Sequence, residues 1–257
     1  MPAVADPYLT KAARPIKQNY FQACRHPWPC LWFLLPLLAV YEAGILAFGG
    51  VDAEWLRNGA DCWLRFCLIS LGFRQLYWVP LLVLLTLAVW SWFRRHDRPN
   101  GLVDLCTGMA LESILCALAL WSFGRAVGPY LSQLGVMLQM DSRAGQTDAL
   151  AQLITYIGAG IYEEWLFRIV LFWGLFALWS LSGLPRPAGL LVAALASSAA
   201  FAGVHHLGAH GEPFRVPAFL FRMLAGLYFT VLMLFRGFGI AVGTHAFYDI
   251  LAGLALD

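Results

Sequence analysis

Glu163 and Glu164 stand side by side, with Arg168 four residues after the second, inside an apolar run from about 149 to 182. An ionised carboxylate at bilayer depth costs on the order of 3 kcal/mol or more unless it is paired or reaches water. Acids in such a place therefore mark a functional site. Residues four apart share a helix face, so Glu164 reaches Arg168 in the favourable acid-first order, while Glu163 projects about 100° away. Glu164 and Arg168 form a self-neutralising buried pair, and Glu163 must find its partner on another helix.

Histidines supply that partner. His205 and His245 lie in two later apolar runs, with Phe201 four residues before the first and Asp249 four residues after the second. Phe201 can pack on the His205 ring, and Asp249 can orient the His245 imidazole or share an ion with it. Glu163, His205, His245 and Asp249 on three helices suit water activation. The carboxylate takes a proton from water, and the imidazoles position the water or stabilise an oxyanion. The reaction so described is hydrolysis of a peptide bond. No G-x-S-x-G elbow or convincing thiol nucleophile competes for the role.

The elements that must position these groups are membrane helices. The chain has 257 residues, 60% of them hydrophobic and 12% charged, with a mean hydropathy of +0.68. Ordinary soluble domains carry about twice that charge. The formal charge of +2 and the scattered arginines exclude a nucleic-acid-binding stripe. Cys24, Cys30, Cys62, Cys67, Cys106 and Cys116 show no paired C-x-x-C spacing and read as small buried hydrophobes.

Seven spans are expected, at 31–48, 76–93, 102–123, 149–182, 188–206, 218–235 and 237–256, since a crossing takes roughly 17 to 25 residues. The run holding the acid pair is too long for a ~30 Å core and must tilt, protrude or bend. Segments 49–75 and 124–148 read as interfacial. Residues 1–30 form a basic tail without signal-peptide order. Arg94, Arg95 and Arg98 place the following turn on the tail's side, with Arg186 and Arg236, which puts the amino terminus in the cytoplasm and the carboxyl terminus outside. The fold class is all-α and polytopic, one domain made of the tail, the spans and interfacial segments of 31–148, and a catalytic core over 149–257.

The combination E-E-x-x-x-R (Glu163, Glu164, Arg168), F-x-x-x-H (Phe201, His205) and H-x-x-x-D (His245, Asp249) resembles the CPBP family of intramembrane proteases, which includes CAAX prenyl endopeptidases and bacteriocin-immunity relatives. The resemblance covers about 149–256. It implies a multi-helix membrane fold with Glu163 as catalytic base, Glu164 and Arg168 as its support, and His205, His245 and Asp249 completing the site. It also implies either glutamate-dependent hydrolysis or a divalent metal such as zinc held by Glu163, His205, His245 and Asp249. The family's last motif often ends in Asn where this chain has Asp249. An ionised Asp cannot donate to an oxyanion, so it is protonated, orients His245 or binds a cation.

The expected partners are the bilayer and a membrane-associated peptide or protein tail, in a bacterial inner (plasma) membrane. The alternatives are a non-catalytic immunity or scaffold protein of the same fold and an ion-coupled transporter. Repeats are not visible, and prolines such as Pro36, Pro80 and Pro217 are read towards span ends, which disfavours the transporter. His206 and His210 read as solvated neighbours outside the site. Glu42 and Glu112 sit inside apolar spans, where they pair with Arg222 or Arg125 or are protonated.

Overall fold

Turn chemistry and apolar runs divide the chain into helices in a computed structural model that describes residues 19–49, 54–133, 149–207 and 211–254. The elements are α1 (Tyr20–Ala23), α2 (Pro27–Gly49), α3 (Gly59–Ser70), α4 (Trp78–Phe93), a 3-10 turn (Arg95–Asp97) and α5 (Leu102–Gln133). After these come α6 (Ala149–Glu164), a π-helical stretch (Trp165–Phe172), α7 (Trp173–Ser180), α8 (Arg186–Val204), α9 (Val216–Arg236) and α10 (Phe238–Leu254). No strand occurs among the described residues, as an all-α chain requires.

Four helices are long and apolar enough to cross a membrane, over Pro27–Gly49, Leu102–Gly128, Arg186–Val204 and Val216–Arg236, and α4 is a shorter apolar helix. That is fewer than the seven expected spans. The acid-bearing run is divided by its π stretch, and α10 has only 17 residues. α5 also continues past 123, where an interfacial segment was expected, because a lone Gly124 weakens a helix by only about 1 kcal/mol. Residues 1–18 of the tail, 134–148 and His210 lie outside the described residues.

Within the described part of segment 49–75, residues 54–75, the polar side turns inward. Asp61 is fully buried and Arg57 and Asn58 are buried, whereas Trp55, Trp63, Phe66 and Phe73 point outward. The polar face is satisfied inside the protein and the aromatic face is left for lipid, the reverse of a water-facing amphipathic helix. Arg57 Nη1 lies 2.9 Å from Asp61 Oδ2, and Arg65 Nε lies 2.7 Å from Asp61 Oδ1.

The acid puzzles in the first spans resolve differently from expectation. Glu42 accepts a 2.7 Å bond from the Tyr162 hydroxyl and lies 3.3 Å from Arg65 and 3.6 Å from Arg57. Glu112 accepts bonds from Arg236 Nη2 and the Tyr20 hydroxyl, each 2.8 Å. Arg222 instead pairs with Glu212 at 2.6 Å, and Arg125 stacks over Trp121. Sequence distance hid these partners, since Glu112 and Arg236 are 124 residues apart. The cysteines are all free, and only Cys24 and Cys30 are buried. Cys67 is exposed, against the expectation of burial, because it lies on the outward side of α3.

The start of α2, the Arg94 turn and the turn from α9 to α10 meet at one end of the bundle. His26 Nε2 donates to the Arg94 carbonyl at 2.9 Å, and the Cys24 thiol donates to the Arg236 carbonyl at 3.2 Å. Burial pushes the His26 imidazole below its ordinary pKa, which suits a ring that also accepts from the Trp28 amide at Nδ1. At the exposed turn, the Arg94 guanidinium holds the Asp97 carboxyl below the usual carboxylate range. Gly237 turns α9 into α10 at φ 107°, and a Cβ there would meet the Cys24 carbonyl oxygen at 2.6 Å, so both conformation and space require glycine.

α10 is the central helix, packed against α2, α5, α6 and α9, while α8 packs on α9, α7 and the π stretch. Gly160 lets α6 and α10 touch. A Cβ on it would stand 2.8 Å from both the Val242 carbonyl and the Ala246 Cβ. Close approach through small residues is the usual way for membrane helices to pack. Gly160→Val is therefore expected to force the helices apart and to lower both the yield of folded protein and its thermal midpoint in detergent, whereas Gly174→Ala, where nothing opposes a Cβ, leaves both unchanged.

Candidate active site

Three helices and one helix end bring the chemistry-bearing residues together. Glu163 and Glu164 close α6, Arg168 lies in the π stretch, His205 caps the carboxyl end of α8, and His245 and Asp249 lie on α10. All six expected residues converge on one region between α6, α8 and α10. Glu164 and Arg168 are fully buried.

The two acids have different surroundings. Glu164 Oε2 lies 3.0 Å from Arg168 Nε, the pair expected from the spacing, while its Oε1 faces His245 Nδ1 at 2.7 Å. It therefore joins the arginine to the histidine and does not merely neutralise the arginine. Arg168 Nη2 donates to the Gly226 carbonyl at 3.1 Å, and its guanidinium lies over the Phe201 ring, 4.6 Å from the centroid. The cation thus has a carboxylate, a carbonyl and a π face, the kinds of partner a buried guanidinium needs.

Glu163 is held at one oxygen and open at the other. Its Oε1 accepts from Asn58 Nδ2 at 2.8 Å. Its Oε2 is buried with no hydrogen-bond partner among the described residues, and stands 3.9 Å from His205 Nε2 and 4.0 Å from His245 Nε2. One water hydrogen-bonds at about 2.8 Å to each neighbour. A molecule between polar atoms about 4 Å apart can reach each of them at that distance.

The ring nitrogens are assigned by their partners. His205 Nδ1 lies 2.8 Å from the Phe201 carbonyl, which can only accept, so Nδ1 carries hydrogen and Nε2 of the neutral ring is left as an acceptor. His245 faces carboxylates at both nitrogens, Glu164 Oε1 at Nδ1 and Asp249 Oδ2 at Nε2, the latter 3.5 Å away. That arrangement suits an imidazolium, with the Nδ1 hydrogen given to Glu164 and the Nε2 hydrogen facing Asp249 without a hydrogen bond. Three carboxylates around one arginine leave a buried group of two net negative charges, and a protonated His245 lowers this to one.

Aromatic packing fixes both rings. Phe201 meets His205 edge-on at 5.1 Å, as its spacing suggests, and also meets His245 at 5.6 Å. Phe229 of α9 lies parallel to His245, 4.6 Å between centroids at 11°. Neither Phe229 nor Asn58 was expected from sequence. Asn58 carries a legible local signal, an Asn before Gly59-Ala60-Asp61 that reads as a helix N-cap, but nothing in the sequence names Glu163 as its partner. His206, expected to be solvated, is half-buried, with Nδ1 3.1 Å from the Glu212 carbonyl.

The possible metal ligands can be set against the spacing of a zinc site; their nearest pair is His245 Nε2 and Asp249 Oδ2 at 3.5 Å. Two ligands about 2.1 Å from a zinc ion at tetrahedral angles stand about 3.4 Å apart, closer than Glu163 Oε2 is to either imidazole. Among the described residues no three His, Cys, Asp or Glu side chains are grouped to hold one ion.

Residues 145–251 match the family model described as type II CAAX prenyl endopeptidase, Rce1-like, in agreement with the family resemblance carried by the three motifs. No curated protein matches the chain. No solved structure matches it either. The matched segment runs through α6, the π stretch and α7 to α9 and most of α10, and holds all six expected site residues. The match and the apolar helices together indicate an integral membrane protein, and the matched family is one of endopeptidases.

Proposed function

We propose that this protein is an intramembrane endopeptidase that hydrolyses a peptide bond in a membrane-associated peptide or protein tail. The observation that carries the reading is the open, buried Oε2 of Glu163 facing Nε2 of both His205 and His245. Glu163 Oε2 takes a proton from water as the water oxygen bonds to the scissile carbonyl carbon. It returns that proton to the leaving nitrogen as the carbon–nitrogen bond breaks. His205 Nε2 accepts the second hydrogen of the water and so directs its lone pair. His245, held by Glu164 and Asp249, donates from Nε2 to the oxyanion. Arg168 fixes Glu164 and touches no reacting atom.

Asp249 has a place in this scheme without donating to substrate. Its carboxylate orients His245, one of the three roles open to an Asp at a position where the family often has Asn. An enzyme that draws substrate from the bilayer needs its base shielded from bulk water, and Glu163 is buried.

Mass-spectrometric comparison of membrane-protein termini tests the reading. Cells expressing the protein are expected to show new amino or carboxyl termini that vanish in cells expressing His205→Ala at equal abundance. His205 sits at a helix end, half-buried, so its loss leaves a small void and abundance near normal. Termini identical in the two cell lines would exclude the proposed role of His205.

A further inference from the structure

Asn58 opens α3 with a side chain that has work at both ends. Its Oδ1 accepts from the Ala60 backbone N–H at 2.8 Å, the bond of a helix N-cap. Because a backbone amide can only donate, the oxygen of the Asn58 amide must face Ala60, and the NH₂ must face the other way. The other way is Glu163, 105 residues distant in sequence, whose Oε1 lies 2.8 Å from Nδ2. The N-cap bond thus fixes the orientation of the amide and guarantees that Glu163 meets a donor.

The backbone around Asn58 is itself anchored. Its N–H donates to the Tyr41 hydroxyl at 3.2 Å, and that hydroxyl donates to Asp61 Oδ2 at 2.9 Å. Arg57 and Arg65 close on the same Asp61, and Tyr41 stacks edge-on against Tyr162, the residue preceding Glu163. Tyr162 in turn donates to Glu42, which faces both arginines. The start of α3 is therefore tied to α2 and α6 through buried, charge-balanced contacts rather than by apolar packing alone.

We infer that Asn58 is a positioning residue for Glu163, occupying Oε1 and thereby presenting Oε2 alone to the histidines. The inference rests on the proposed role of Glu163 as base. A carboxylate free to rotate would offer either oxygen, in either direction. With one oxygen held by an amide of fixed orientation, the reactive oxygen is chosen before substrate arrives. The polar cluster of α2 and α3, which lies outside the matched segment, thereby acquires a part in the reaction.

Two variants separate positioning from folding. Serine also caps helices but is too short to reach Glu163, so Asn58→Ser is expected to keep wild-type abundance, with the melting temperature lowered only by the loss of one buried hydrogen bond. On a peptide spanning a cleavage site defined by comparing termini from wild-type and Glu163→Gln cells, purified Asn58→Ser should lose roughly 10- to 100-fold in kcat with KM unchanged. Wild-type kcat in Asn58→Ser at equal folded protein would overturn the inference. The second readout needs no activity. Asn58→Asp sets two carboxylates against each other and should lower the melting temperature, and Asn58→Asp combined with Glu163→Gln exchanges donor and acceptor and should restore it. If the double variant is no more stable than Asn58→Asp, the contact is not the one described. If Glu163→Gln cells show the same termini as wild type, the protease reading fails instead, while the melting comparison still judges the contact.

Discussion

Glu163→Gln is expected to abolish processing of membrane-protein termini while leaving the protein at normal abundance. The amide retains an oxygen where Oε1 accepts from Asn58 Nδ2, so the contact that holds the side chain survives. At the other position, the amide nitrogen has no lone pair to take a proton from water. Loss of a general base typically costs 10²- to 10⁴-fold in rate. Burial gives no reason for bulk water or a neighbouring base to substitute. Nor should the neutral side chain harm stability, since it removes one of three carboxylates from a site holding a single arginine. Terminus analysis together with immunoblotting reads both quantities, and full processing by the variant would defeat the assignment of Glu163.

Arg168→Ala is expected to fail for the opposite reason, by loss of the folded protein. Arg168 is fully buried, with contacts to Glu164, the Gly226 carbonyl and the Phe201 ring. Removing one member of a buried ion pair costs about 3 to 5 kcal/mol, because the remaining charge keeps its desolvation penalty and loses its partner. The void left by a guanidinium between α6, α8 and α9 adds to this. Arg168→Ala combined with Glu164→Gln should recover part of the abundance without recovering activity. A stable, fully active Arg168→Ala protein would show that Glu164 does not depend on the arginine.

Much of the site is written in local spacing. Glu164 and Arg168 are four residues apart and pair, Phe201 and His205 are four apart and touch, and His245 and Asp249 are four apart and face each other. Helical periodicity makes such pairs readable without a structure. What spacing does not encode is which helices meet. The Glu164–His245 bond, the stacking of Phe229 on His245 and the Asn58–Glu163 bond all cross between elements. For the same reason Glu42 and Glu112 had no legible partners, although each is paired in the structure. The reading of 49–75 as interfacial left the direction of its polar face open for a related reason. Alternating charged and aromatic residues suit a helix on water, but equally one whose charges point into a protein and whose rings point into lipid.

The π-helical stretch from Trp165 to Phe172 has a consequence beyond the bend expected of a long apolar run. A π turn holds more residues than an α turn, so it shifts the rotational phase of whatever follows. α6 addresses α2, α3 and α10, while α7 addresses α8. A single uninterrupted α-helix would bind these neighbours to one fixed angular relation. With the phase shift between them, the surface that presents the acid pair and the surface that grips α8 are set independently along one axis. The extra residues of the π stretch thus act as a coupling between two half-helices, letting the acid-bearing end keep its aim while the other end is fitted to a different neighbour.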